Sequence, residues 1–198
     1  MLPIAAVTDK IFQRLMAIDE ETCARVAAAG CPFCGGPLHR SDYPRKPRGG
    51  LLAEAGEVFT RRLSLCCGWE GCRRRATPPS VRFLGRRVYL GAAVILASIA
   101  SQVLTTAREV KRATGIAART VGRWRAWWQS RFAGSRLFEE QRGSFLPPLV
   151  IADLPSSLVG RFQIGGRDAA AALVRTLCFL SPLTTGSVAD GARFVRAP

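Results

Sequence analysis

Five of the seven cysteines in the sequence fall into two tight groups, C31-P-F-C34-G-G and C66-C-G-W-E-G-C72-R-R-R. Two thiolates on a glycine-bearing turn, answered by a second pair after a strand, form the donor set that tetrahedral zinc takes. Cys31, Cys34 and Cys72 fill three ligand positions. Cys66 and Cys67 compete for the fourth. Strand parity favours Cys67, which shares a face with Phe59, Leu63 and Leu65, and Cys66 is the alternative. His39, the single histidine, follows Cys34 by five residues. Four cysteines already complete a site, so it is read as a solvated loop residue. Cys23 and Cys178 lie on helical segments and read as small buried hydrophobes. The N-terminus shows no basic region leading into an apolar run, so no secretory signal is expected. Cysteines without such a signal point to metal or free thiols in a reducing compartment.

The second chemical signal is arginine. The formal net charge is +15, from 29 Lys+Arg against 14 Asp+Glu. Residues 1–30 balance to −1, residues 31–104 to +8, residues 105–142 to +6 and the remainder to +2. A positive excess concentrated on the middle of the chain suits a surface that faces a polyanion. Only three of the basic residues are lysine. Arginine suits bidentate contacts to phosphate and guanine, although a GC-rich genome produces the same bias. Arg73, Arg74 and Arg75 directly follow the last cysteine, and Arg61 and Arg62 sit on the strand before it.

These groups need elements to hold them. A small β module with so few apolar residues requires its metal to fold. Its expected parts are the turn at Cys31, a basic Pro/Gly loop over residues 41–50, a strand over residues 58–65 and the closing turn to Cys72. Thr77-Pro78-Pro79-Ser80 reads as a rigid connector.

Downstream, T106-A-R-E-V-K-R-A-T-G-I-A-A-R-T-V-G-R-W reads as two short helices joined by a tight turn. Thr106 and Glu109 have capping-box spacing. Gly115 falls where such a turn needs positive φ. Val110, Ile116, Val121 and Trp124 take the spacings that pack crossing helices. Lys111 and Thr114 depart from that pattern, standing where a small and an apolar residue are usual. In the second helix Val121, Trp124, Trp128 and Phe132 form a core-facing stripe. Arg119, Thr120 and Arg123 project from the opposite side of its first turns, where they would enter a DNA major groove. Arg112, Arg125 and Arg131 are placed for phosphates, which position a protein without specifying sequence. Trp127 lies off the stripe. The apolar helix expected over residues 88–104 would be the packing partner of these two, completing a minimal DNA-binding unit of three helices. Its apolar run is about half the ~20 residues a membrane span needs.

At the N-terminus, one helix starts at Thr8 or Asp9, and Asp19-Glu20-Glu21 begins a second that stops at Gly30. At the far end, a Pro-broken stretch leads to Leu154-PSSLVGRF and a helix capped by Asp168. Order is expected to end at Pro182. This part reads as a docking or multimerisation element. The expected fold class is therefore mainly α with a small β zinc ribbon. Its segments are 1–30 (N-terminal helices), 31–80 (zinc ribbon), 81–135 (helix-turn-helix) and 136–198 (C-terminal helical segment and tail).

Taken together, the two cysteine groups and T-G-I-A-A-R-T-V-G-R-W resemble transposases of bacterial insertion sequences, several families of which begin with a zinc ribbon followed by a helix-turn-helix. The resemblance spans residues 31–132 and is to an architecture. It implies binding of double-stranded DNA at an element's ends, zinc on Cys31, Cys34, Cys67 and Cys72, and the helix after Ile116 in the groove. A transposase or other element-encoded protein and a second copy of the chain are the protein partners it suggests, in the cytoplasm at the nucleoid. Catalysis does not carry over. Nucleases resembling RNase H need three spaced carboxylates on two metals, whereas the acids here are few and scattered, and paired-histidine nucleases need more than one histidine. With no acid/base pair, activated nucleophile or phosphate loop, no enzyme is expected. A transcriptional regulator built from the same modules, or an RNA- or protein-binding adaptor, are the alternatives.

Overall fold

The computed structural model describes residues 9–46, 57–84, 90–103, 106–163 and 168–185. It is mainly helical with a small antiparallel sheet. The expected loop beyond residue 46, the start of the apolar helix and the tail beyond Thr185 lie outside the described residues.

The N-terminal region is one helix, α1 (Asp9–Ala29). The expected break at Asp19 does not occur. Asp19 is not a helix start but a buried anchor, 2% exposed. Its carboxylate accepts from Ser80 Oγ (2.6 Å), Val81 N–H (2.7 Å) and Arg82 Nε (2.7 Å). Arg82 in turn donates to the carbonyls of Phe59 and Arg61. A buried pair persists only when both partners are also hydrogen-bonded, and this one is. The 77–80 stretch is accordingly no free connector: Ser80 N–H also donates to Thr184 Oγ1, and Thr185 Oγ1 donates to the Thr77 carbonyl. Order thus continues past Pro182.

The strand expected over residues 58–65 is broken. A 3-10 turn, Glu57–Thr60, leads into β3 (Arg61–Arg62), which pairs antiparallel with β2 (Tyr43–Pro44). Asp42 Oδ1 captures the Ser64 amide, and the chain re-enters as β4 (Leu65–Cys67) in a second sheet of order β1-β4-β5. Here β1 is Leu38–Arg40 and β5 is Arg75–Ala76. Leu63, Leu65, Ala76, Cys23 and Val26 make its small apolar cluster against α1.

The helical body follows. Every residue from Gly91 to Ala100 of α2 (Gly91–Val103) is buried, as an all-round apolar helix requires. Asp168 caps α7 (Ala169–Leu180), accepting from the Ala171 amide. This helix is core and not a free docking element. Leu173 and Leu177 share one apolar cluster with Ile95 and Leu96 of α2, with Trp128 and Phe132, and with Leu158 of α6 (Ser156–Phe162). The two helices approach so closely that a Cβ on Gly91 would sit 2.6 Å from Leu177.

Candidate metal centre and basic helix

Cys31 stands immediately after Gly30, whose φ of 80° turns the chain out of α1. Added to Gly30, a Cβ would meet the Gly35 carbonyl oxygen at 2.9 Å, so this turn needs glycine. Gly35 N–H closes the turn on the Cys31 carbonyl, and Cys31 N–H donates to the Gly36 carbonyl, both at 2.8 Å. The second turn is built the same way: Cys67 N–H donates to the Arg74 carbonyl, and the Trp69 carbonyl accepts from both Cys72 and Arg73.

These turns bring the four sulfurs of Cys31, Cys34, Cys67 and Cys72 within 4.8 Å of one another. Cys31 and Cys72 Sγ are 3.7 Å apart, and Cys34 and Cys67 Sγ 3.5 Å. A disulfide would place sulfurs about 2 Å apart, so these are four free thiols around a common centre. Around that centre the donor set suits a metal ion. Trp69 N–H points at Cys67 Sγ at 3.4 Å, the kind of amide contact that favours thiolate. At Cys31 burial opposes the charged form, but the amides of Phe33 and Cys34 and the neighbouring thiols overcome it, lowering the pKa to about 7. Cys34 is favoured as thiolate by the Gly36 amide, yet burial and the surrounding cysteines push it up to about 12. One proton leaves easily and the next does not, because charge accumulates at the centre. A cation removes that conflict.

Register explains why Cys67 joins the cluster and Cys66 does not. Leu38 pairs with Cys67, and His39 pairs with Cys66. Directly paired residues share a sheet face, so His39 and Cys66 point away from the cluster together. Cys66 Sγ instead lies against the carbonyls of Cys67 and Arg73. Cys23 is buried as expected, whereas Cys178 is only half-buried, packed against the main apolar cluster.

The sequence-predicted basic residues have different fates. Arg62 is not part of a cationic face: it is 3% exposed and donates to the Pro78 carbonyl at 2.6 Å. Arg75 is engaged with Ser41 O and Ser64 Oγ and lies over the Tyr43 ring. Arg73, at φ 47°, and Arg74 are exposed, and Arg74 lies 4.9 Å from the centre of the Phe33 ring.

In the helical body, α3 (Ala107–Thr114) starts with the predicted capping box between Thr106 and Glu109 and ends at Gly115 with φ 67°. Thr114 takes an apolar position without cost, because its hydroxyl donates to the Val110 carbonyl and accepts from the Ile116 amide. Val110, Ile116 and Val121 pack in one cluster with Ala93 and Ala97 of α2, and Trp124 lies against it. The next helix, α4 (Ala118–Trp127), carries Arg119 and Arg123 exposed and Thr120 half-buried, with Arg123 donating to Thr120 Oγ1. Arg112 is exposed in the last turn of α3. Arg125 is half-buried on a cleft of about 230 Å³ between the end of α2, the start of α3 and α4. The stripe continues through a π-helical turn, Trp128–Phe132, with both aromatics fully buried, and α5 (Arg136–Gln141) follows. Trp127 rests edge-on against Trp128, ring centres 4.9 Å apart, within the aromatic cluster.

Two residues escaped the sequence reading. Phe33 and Trp69 sit between the cysteines of their own turns and are 46% and 60% exposed. The signal was an aromatic enclosed in each cysteine motif, in a module whose core is too small to bury it.

No family model, curated protein or solved structure matches this chain. Among the described residues, no helix is long and apolar enough to cross a membrane.

Proposed function

We propose that this chain is a zinc-dependent protein that binds double-stranded DNA, with Cys31, Cys34, Cys67 and Cys72 as a zinc ribbon and α3–α4 as a helix-turn-helix. Zinc is the metal that four thiolates at these separations suit. With sulfurs about 2.3 Å from the ion, a tetrahedron spaces them roughly 3.8 Å apart, close to the 3.7 Å of Cys31–Cys72 and the 3.5 Å of Cys34–Cys67. The ion's part would be structural, holding both turns together. It offers no open position for chemistry, and the chain is read as a binder and not an enzyme.

The observation that carries the DNA reading is the division of α4. Val121 and Trp128 are buried on one side, while Arg119 and Arg123 stand exposed on the other. The helix has no acidic residue along Ala118–Trp127. A helix docked on its own core and bare along an arginine face is built to enter a groove. Arg112 and Arg125 flank that face for phosphates, and Arg73 and Arg74 extend the positive surface onto the ribbon.

Mobile-element association, as an end-binding or accessory factor without a nuclease, follows from the resemblance of the two modules in series. Selection on randomised duplexes tests it, since an end-binding factor should return a sequence found at the borders of such an element.

Salt dependence tests the binding itself. Neutralising about 6–8 phosphates costs roughly three to four orders of magnitude in affinity between 50 and 200 mM salt, and a flat dependence would reject the proposal. Arg123→Ala is expected to relax base preference by ~1–3 kcal/mol, whereas Arg112→Ala should weaken all duplexes alike.

A further inference from the structure

We infer that the two cysteine turns carry a second nucleic-acid site, a stacking platform for the unpaired bases of single-stranded DNA, formed by Phe33 and Trp69. Among the described residues, neither ring belongs to any of the three apolar clusters, so packing does not account for them. Both are held on rigid backbone. Phe33 lies within the turn closed by Gly35 N–H on the Cys31 carbonyl. Trp69 donates its N–H to Cys67 Sγ, and its carbonyl receives two further amides. The turns meet at Gly36, where an added Cβ would be 3.4 Å from Trp69 Cβ. The two aromatics therefore stand exposed on adjoining turns whose backbone is already ordered before any ligand arrives.

Charge identifies the ligand. Arg74 packs its guanidinium on the Phe33 ring, and Arg73 is exposed beside it. Glu70 is the acid that interrupts this surface, next to Trp69. Exposed aromatics interleaved with arginines suit a strand whose phosphates meet the cations while its bases lie on the rings. An apolar protein surface would leave those guanidiniums unpaired. A duplex does not offer its base faces, because they are stacked on one another, so the ring platform selects unpaired bases. The rest of the chain is read as gripping duplex DNA, and that reading selects DNA over RNA here. A strand leaving the duplex could be held by both regions at once.

The test uses the full-length, zinc-loaded chain and two oligodeoxynucleotides of equal length and charge, one of thymidine and one abasic. The thymidine strand should bind roughly tenfold tighter or better, since each stacked base contributes that much, and should quench tryptophan emission. Trp69→Ala should erase the difference, leave the abasic strand's affinity unchanged, and leave blunt-duplex binding and zinc content intact. Trp69→Phe should retain most of it, and Phe33→Ala should lose part. Equal affinity for the two strands overturns the inference, as does a Trp69→Ala variant that weakens both alike. Tighter binding of the matching uridine oligoribonucleotide overturns the assignment to DNA. The comparison does not involve α4, so loss of salt-dependent duplex binding in Arg119→Ala/Arg123→Ala would be read separately.

Discussion

The sheet region around the cysteines and the helical body behind it reach a folded state by opposite means. The body buries Trp128, Phe132, Leu154, Leu158 and Leu173 completely, and its main apolar cluster draws on α1, α2, α6 and α7. The sheet region has strands of two or three residues and a cluster of five buried residues, one of them a cysteine from α1. Burial at about 25 cal/mol per Å² supports the first. It contributes far less to the second, where a small cluster lies beside four sulfurs that meet at one centre. The two regions also treat arginine differently. Arg82 at their junction is sealed against Asp19, while Arg119 and Arg123 on α4 stay exposed to solvent and, among the described residues, pair with no acid. Where a guanidinium is paired to carboxylate and carbonyls it is structural, and where it is left in solvent it is available to a ligand.

Metal removal should separate the regions most sharply. Binding of zinc to such sites is worth roughly 10 kcal/mol or more, so chelation should melt the sheet region, read as loss of amide-exchange protection over residues 31–46 and 57–76. Protection in α2 and α7 should persist. Simultaneous loss of both would mean that the body, too, depends on the ion.

The junction comes next. Asp19→Ala leaves Arg82 buried without its partner and should cost about 3–5 kcal/mol, measured by denaturant unfolding. The paired change Asp19→Leu/Arg82→Met should cost much less, because no orphan charge remains. Equal costs would show that packing and not charge matters here.

Thr106→Ala removes the capping box of α3 and should cost about 1 kcal/mol. It acts within the body alone, so metal affinity should not change.

How much of this was legible beforehand follows the same division. The four clustered cysteines could be named because strand parity survives from Leu63 to Cys67, although the strand itself does not. Thr106, Glu109 and Gly115 could be named because capping and positive φ are local properties. Asp19 was misread for the converse reason: an acid after an apolar stripe looks like a helix start, and nothing nearby in sequence reveals Ser80 and Arg82 more than sixty residues on. Arg62 was misread likewise, since its burial depends on Pro78. The place of α7 in the core was invisible because it depends on contact with α2, across the whole length of the body. Phe33 and Trp69 were visible but unweighed, because their meaning depends on how little core the region has.

The smallest effect is also a control. Cys66 points to the sheet face shared with His39, so Cys66→Ser should leave folding and metal binding unchanged. The central claim is that Cys67, and not its neighbour Cys66, completes the four-sulfur centre that builds the sheet region, and zinc stoichiometry in two purified variants tests it most directly. The account predicts one zinc per chain in Cys66→Ser, as in the parent, and loss of tight binding in Cys67→Ser. Retained zinc in Cys67→Ser, or a parent chain that folds its sheet region without any metal, would contradict it.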